Sequence, residues 1–427
     1  MLFLKYLKDQ QERNKQCEIG KESGRSHVVS NMKKNVVALL SLTLLLTTAA
    51  CGSQSSDNGS AVNAGTSNTT NTTEVASTTE TTDTATSEEI GSEAETSEGT
   101  ALDIQKTDFT IGYLNSTAHL LGFVAKEEGY FEEEGLNVTL TQFSSSAELS
   151  SGLESGKLDV AFIGSVPSLT FQSSGHDLTI FGGAMTNGHG YVIKPEFVEG
   201  LDDWDVSILK GRSVASVKNS VQDAELLILL KNAGIEIGEG EDQVNIVYFD
   251  SQKDAYNALQ NKSIDAASAY SPYTSLAEGQ GYEIVYRCSE EEALQNQPCC
   301  RQVASTAALY EYEDSYVAFE RAMIKAYKFT QENKEGTIDD VKKYIDIDKE
   351  YIETEVYGGY GTSVPDPDKK GTVALKDAIV DLGYTEDYDI DKLFNIDIYN
   401  RALTSLLEEN PDDAVYKTLQ EHFNEFE

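Results

Sequence analysis

The sequence predicts an α/β fold made of two similar lobes, because one pattern of residues occurs twice, about 105 positions apart. Residues 110–116 have the pattern of a strand and are followed by a helical stretch that ends at Gly129. Residues 213–220 repeat the pattern, and their helical stretch ends at Gly234. Each copy continues with a second strand, a second helix and a third strand. Two such lobes leave a cleft between them, and clefts of this kind bind small molecules.

The spacing of apolar residues predicts the individual elements. Ser116 or Thr117 can cap the first helix, and Gly129 suits the left-handed position that ends it. The nearly continuous apolar run at 158–163 is typical of a parallel strand buried on both faces. The predicted strands are 109–113, 137–142, 158–163 and 178–181 in the first lobe and 213–217, 244–249 and 264–269 in the second.

The chain from about residue 314 onwards is predicted to be mostly helical. Asp314 can cap the first of these helices, and Thr337 begins another. Glycines at 358–359 and at 383 end later helices, and the last long helix is predicted at 391–408.

The N-terminus has the anatomy of an export signal. Residues 1–31 are polar and are interpreted as an upstream extension, and a short positive region followed by an apolar run makes 32–50 a signal peptide. The apolar run is too short for a comfortable membrane span. Cys51 directly follows two alanines, which resembles the bacterial lipobox, although Thr48 stands where leucine is usual. Cys51 is therefore predicted to carry a lipid.

Residues 51–103 are predicted to be a flexible linker. This segment is rich in Ser, Thr and Glu and has few large apolar residues to offset the entropy of ordering. The whole chain carries a formal net charge of −39, which argues against nucleic acid and against direct adhesion to anionic lipid.

Polar side chains follow the predicted strands of both lobes, where helices begin. Ligands of parallel α/β sheets sit beyond the carboxyl ends of the strands, and helix N-termini there favour anions. These side chains either contact a ligand or only cap their helices. The candidates are Asn115, Ser116, Thr117, Ser165, Ser168, Lys218, Asn219, Ser220 and Ser271.

The glycine-rich segment 182–191 adds Asn187 and His189 to these candidates. Together with His119, His189 could bind an anion or an aromatic ring, and the alternative is that one or both lie on the surface. Neither histidine has the spacing of a metal ligand, so we expect no metal ion and no cofactor.

Three cysteines lie close together in the sequence, at Cys288, Cys299 and Cys300. In an exported protein, a disulfide from Cys288 to one member of the pair is the simplest interpretation. A strained disulfide between Cys299 and Cys300, or a metal role, remains the alternative.

Two stretches resemble a known family. Residues 125–138 are similar to the helix, Gly-Tyr-Phe and Gly-Leu-x-Val signature of periplasmic-type substrate-binding proteins, in the branch for nitrate, sulfonates, taurine and thiamine precursors. Residues 153–167 resemble the continuation of that signature. The resemblance implies a type II periplasmic-binding-protein-like fold, with each lobe a mainly parallel sheet flanked by helices, and a helical C-terminal tail.

The resemblance also implies boundaries and partners. Lobe 1 would span 104–192, lobe 2 would span 193–300, and 301–427 would return to lobe 1 and form the tail. The turn with Tyr270 and Tyr273 would lie at the cleft mouth, where the rings could stack on a ligand or pack between the lobes. A monomer on the outer face of the cytoplasmic membrane, anchored by lipid, would pass a small solute to an ABC permease and its ATPase.

Two other functional classes remain open. A pyrimidine-forming synthase shares this fold and uses a cysteine-rich metal motif, which Cys299 and Cys300 resemble only faintly. A sensory binding module without a transporter would have the same sequence features, and a neighbouring permease gene would distinguish it.

Overall fold

The structure, a computed structural model, describes residues 102–201, 204–291 and 293–427. The predicted extension, signal peptide and lipidation site Cys51, and the linker up to residue 101, lie outside these ranges. Within them, no helix is both long and apolar enough to cross a membrane.

Two mixed sheets form the framework of the described region. The strands are β1 (Asp108–Tyr113), β2 (Asn137–Gln142), β3 (Val160–Gly164), β4 (Leu178–Asn187), β5 (His189–Ile193), β6 (Ser213–Val217), β7 (Asn245–Phe249), β8 (Ala266–Tyr270), β9 (Glu283–Arg287), β10 (Pro298–Ser305) and β11 (Gly361–Thr362). The first sheet has the strand order β11-β4-β10-β3-β1-β2, and the second has the order β7-β6-β8-β5-β9.

The repeated pattern corresponds to the parallel part of each sheet. In the first sheet β1 lies parallel to both β2 and β3, and in the second β6 lies parallel to both β7 and β8. An antiparallel strand then joins each group, β10 beside β3 and β5 beside β8. The α/β class with two sheets is confirmed.

Helices cover both sheets and form the C-terminal tail. They are α1 (Leu120–Glu127), α2 (Tyr130–Glu133), α3 (Ser146–Glu154), α4 (Ser165–Ser173), α5 (Val221–Asn232), α6 (Gln252–Gln260), α7 (Tyr273–Gly279), α8 (Thr306–Glu311), α9 (Glu313–Glu332), α10 (Lys334–Tyr344), α11 (Lys349–Tyr357), α12 (Lys369–Asp381), α13 (Asp397–Glu409) and α14 (Ala414–Phe426). Short 3₁₀ turns occupy Thr117–His119, Pro195–Phe197, Val206–Leu209, Cys288–Glu290 and Ile390–Leu393.

The chain crosses between the sheets a few residues before each of the two predicted lobe boundaries. It leaves the first sheet at Asn187 and enters the second at His189, so β5 lies in the second sheet although residues up to 192 were assigned to lobe 1. It has returned by Pro298, although residues up to 300 were assigned to lobe 2. The left-handed Asn187 and Gly188 turn the chain between β4 and β5.

Two predicted helix starts in the tail are wrong. Asp314 does not cap α9, because its carboxylate accepts a hydrogen bond from the Asp103 amide and pairs with Arg401. Helix α10 begins three residues before Thr337, because the Asn333 side chain accepts from the Gly336 amide at 3.0 Å and caps it there.

The predicted last helix at 391–408 is also wrong in its extent. Residues 390–393 form only a 3₁₀ turn, and the Asn395 side chain accepts from the Asp397 and Ile398 amides where α13 begins. A further helix, α14, follows because Asp413 caps it through the amides of Val415 and Tyr416.

The tail packs on the first sheet, as the resemblance implies. Helix α9 lies against α1 and α13. Its Tyr316 ring meets Phe109 of β1 edge to face, with ring centroids 5.2 Å apart, and Phe181 of β4 at 5.3 Å. These aromatic contacts attach the tail to the first sheet.

Candidate functional site

A cavity of about 280 Å³ lies between the two sheets and is lined by residues from both lobes. Seven of the predicted site residues line it, namely Ser116, His119, His189, Lys218, Asn219, Ser220 and Tyr270. Seven others are not among the described lining residues, namely Asn115, Thr117, Ser165, Ser168, Asn187, Ser271 and Tyr273.

Four helices begin beside the cavity. The first residues of α3 from the first lobe and of α5 and α6 from the second line it, whereas α4 contributes Gly164 before its start and Pro167, Thr170 and Phe171 along its side. The first amides of a helix have no intrahelical acceptor, and the helix dipole makes this end positive. The arrangement therefore favours an anionic group at the centre of the cavity.

Serines cap three of these four helices. The Oγ atoms of Ser145, Ser220 and Ser251 accept hydrogen bonds from the amides of residues 148, 223 and 254. Ser220 was predicted, whereas Ser145 and Ser251 were missed although each precedes an amphipathic helical stretch. Each cap satisfies one amide and leaves others in the first turn without an intrahelical acceptor, and residues of these first turns line the cavity.

Several predicted residues join the lobes to each other. Ser116 Oγ donates to the Ser271 carbonyl at 2.9 Å, and the hydroxyls of Thr117 and Ser271 are in direct contact. Asn115 Nδ2 donates to the Tyr273 hydroxyl at 3.4 Å. These side chains connect the end of β1 to the end of β8 behind the cavity.

Three other predicted residues have local roles. Ser168 Oγ donates to the Gly164 carbonyl at 2.9 Å within α4. Asn187 Oδ1 accepts from the Gln297 amide at 3.2 Å and so fixes the crossover between the sheets. Ser165 Oγ is buried, with no hydrogen-bond partner among the described residues.

His189 lies against an acid that the sequence did not indicate. Its Nδ1 is 3.0 Å from Glu225 Oε2, and both side chains are almost completely buried. Burial alone would lower the pKa of His189, but the Glu225 carboxylate outweighs it and the pKa is raised. Glu225 lies on the first turns of α5, where helical periodicity gave no sign that it faces inward.

Cys288 is held by the same carboxylate. The Cys288 thiol donates to Glu225 Oε2 at 3.2 Å, and burial raises the pKa of this thiol. All three described cysteines are free thiols, so the disulfide predicted from Cys288 is not formed. The reason is that Cys288 lies in the core of the second lobe, whereas the other two cysteines line the cavity.

Positive charge near the cavity is sparse. Lys218 is the one lysine or arginine among the described lining residues, and Asp250 also lines the cavity. Arg301 is fully buried, where it donates to the carbonyls of Met185 and Cys300 and pairs with Asp368 at 3.1 Å. Helix ends and Lys218 are therefore the groups that would meet an anion.

The described residues contain no group of three or more His, Cys, Asp or Glu side chains arranged to hold a metal ion.

Comparisons with known proteins agree with the fold. The profile of the NMT1-like family matches residues 103–345. A Bacillus subtilis (strain 168) protein provisionally named an aliphatic sulfonates-binding protein is 28% identical over 257 residues, which cover 58% of this chain and 73% of that protein.

Two solved structures share the architecture. The periplasmic aliphatic sulphonate binding protein from Escherichia coli has a TM-score of 0.58 at 20% identity, over 69% of this chain and 100% of that one. The periplasmic nitrate-binding protein from Synechocystis PCC 6803 has a TM-score of 0.63 at 15% identity, over 73% and 92% of the two chains. At these identities the likeness shows the fold.

Proposed function

The chain belongs to the NMT1-like family, and from this membership we propose that it is an extracytoplasmic lipoprotein that captures a small solute for an ABC importer. The solute binds between the two lobes, and the closed protein delivers it to the permease, whose ATPase drives uptake. The observation that carries this proposal is the convergence of three helix N-termini, one from the first lobe and two from the second, on one cavity.

The lining favours an organic anion over a bare one. Leu114, Pro167, Phe171 and Val217 present apolar surface beside the helix ends. A sulfonate with a short apolar substituent would place its charge at the helix N-termini and its substituent on these side chains. Nitrate would contact only the helix N-termini, and a pyrimidine or thiamine precursor would contact mainly the apolar side chains.

Calorimetric titration of the purified protein with ethanesulfonate, nitrate and a hydroxymethylpyrimidine tests this proposal. We expect saturable binding of the sulfonate, and binding of the pyrimidine alone would contradict the anion site. Lys218→Met should weaken sulfonate binding roughly two- to fivefold, because an exposed charge pair contributes about 0.5–1 kcal/mol. Lys253→Met is the matched control, because Lys253 is also exposed but does not line the cavity.

The role of the protein in transport is tested separately, through its proposed partners. Deletion of a permease gene beside this one should abolish uptake of the bound solute. Unchanged uptake would favour a sensory module.

A further inference from the structure

Strand β10 carries an irregularity that turns two neighbouring thiols the same way. Its pairing with β4 shifts register on both sides of Cys300. Adjacent side chains of a regular strand point to opposite faces, so one thiol would face away from the cavity. Here Cys299 and Cys300 both line it, with their Sγ atoms 3.2 Å apart. Bulges that re-aim a side chain are frequent beside functional sites.

A histidine accompanies the two thiols. His119 lines the same cavity, is almost fully buried, and has an Nε2 atom with no hydrogen-bond partner among the described residues. Its Nδ1 lies 3.2 Å from both the amide nitrogen and the carbonyl oxygen of Leu114. In the tautomer in which Nδ1 accepts from the amide, the ring proton is on Nε2, where it can stabilise a nearby thiolate.

The two thiols differ in acidity. The neighbouring Cys299 thiol lowers the pKa of Cys300 most, burial opposes the shift, and His119 and His189 lower it further. The pKa of Cys299 is raised, mainly by its hydrogen bond with Cys300 and secondly by burial. Because the thiolate is the nucleophile, Cys300 is the reactive member of the pair.

We propose that Cys300 and Cys299 form a dithiol site that reacts with small anionic disulfides entering the cavity. The Cys300 thiolate attacks one sulfur of the disulfide R–S–S–R, whose S–S bond breaks, and RS⁻ leaves and takes up the proton that Cys300 had released. Cys299 then attacks Cys300 Sγ, and the second RS⁻ leaves with the Cys299 proton. The protein loses two electrons and two protons, and the small disulfide becomes two thiols.

The covalent product is constrained by the chain itself. The Cα atoms of neighbouring residues are about 3.8 Å apart, whereas disulfide-linked Cα atoms are usually about 4.4–6.8 Å apart. Such a strained bond is readily reduced again, so the reaction is reversible. The helix N-termini around the cavity select for an anionic disulfide.

Peptide mapping by mass spectrometry tests the reaction on the full-length reduced protein, treated with dithiodiglycolate or, as a cationic counterpart, cystamine. We expect the peptide with residues 299 and 300 to become two hydrogens lighter, and to do so faster with dithiodiglycolate. Cys299→Ser should stop at a mixed disulfide on Cys300. Cys300→Ser should slow modification at this site by at least about tenfold, because the more acidic thiol is gone.

Cys288→Ser is the matched control, because Cys288 is also buried but lies outside the cavity, and it should react like the wild type. Circular dichroism of each variant checks that it folds. Unmodified Cys299 and Cys300 in the wild type, or equal rates in the Cys299→Ser and Cys300→Ser variants, would overturn the proposal. Faster reaction with cystamine would overturn the anionic class of substrate. The assay contains no transported solute, so its result is independent of the proposed transport function.

Discussion

The Tyr384 hydroxyl donates a hydrogen bond to Asp223 Oδ2 at 2.5 Å, and this bond joins the tail side of the first lobe to helix α5 of the second. Asp223 also accepts from Ser216 Oγ at 2.8 Å and from the Asn219 amide at 3.1 Å. Burial raises the pKa of Asp223, against the effect of the Tyr384 hydrogen bond. The contact joins the two lobes next to the cavity lining, so separation of the lobes would break it.

Tyr384→Phe should therefore weaken solute binding by destabilising the closed arrangement. A hydrogen bond to a charged group contributes about 1.5–3 kcal/mol, which corresponds to at least tenfold in affinity if the open state makes no such bond. Calorimetry with ethanesulfonate measures the loss of affinity, and the radius of gyration from small-angle scattering measures the change in closure of the lobes.

The control is Tyr388→Phe, a few residues further along the chain. Tyr388 donates to Gln172 Oε1 at 2.8 Å within the first lobe, so its loss should lower stability without changing closure. Equal losses of affinity in the two variants would show that the Tyr384 bond has no special role between the lobes.

The sequence predicted the parallel strands because each shows a local pattern, either an alternation of apolar and polar residues or an apolar run. Residues 137–142 and 213–217 match β2 and β6, since local apolar spacing determines them. The membership of β5 in the second sheet and of β10 in the first was missed, because it depends on pairing between residues more than 70 positions apart.

Site residues were predictable where their role depends only on neighbouring residues in the sequence. Ser220 caps a helix and lines the cavity, and both follow from its position before α5. Glu225 and the paired thiols of Cys299 and Cys300 were not predictable as a group. Their neighbours are set by the register shift in β10 and by the packing of α5, which no local pattern encodes.

Two serine variants should separate helix capping from contact between the lobes. Ser220→Ala removes a cap and should lower the free energy of unfolding by about 1 kcal/mol. Ser116→Ala removes both a cap to the Ala118 amide and the bond to the Ser271 carbonyl. It should therefore lower solute affinity more than Ser220→Ala does, by about 0.5–1.5 kcal/mol.

Chemical denaturation and calorimetry on both proteins measure the two effects. If Ser220→Ala lowered affinity as much as Ser116→Ala, the helix cap would dominate and the contact between the lobes would be unimportant. If neither variant changed affinity, the solute would bind outside this cavity.

The proposed lipid anchor predicts a change in location on substitution of Cys51. Cys51→Ser should leave the protein unprocessed or release it to the medium, because stable attachment needs two lipid chains at that residue. Detergent phase partitioning of cell fractions measures this, with Cys17→Ser as the control. Wild-type protein in the aqueous phase would refute the anchor.

The buried pair of His189 and Glu225 makes stability depend on pH. The pKa of His189 is raised in the folded protein, so the native state holds this proton more tightly than the unfolded chain does. Its contribution to stability is fully present below the unfolded pKa of about 6.5 and is lost as the pH rises through the folded value. His189→Gln should remove this part of the pH dependence and lower stability most at acidic pH, where the charged pair is complete. Urea denaturation at several pH values from mildly acidic to alkaline measures the free energy of unfolding and its dependence on pH.

His176→Gln is the matched control, because His176 also pairs with a glutamate, Glu154, but at a partly exposed position where solvent screens the pair. The same pH profile in the wild type and in His189→Gln would mean that the pair contributes no proton-linked stability.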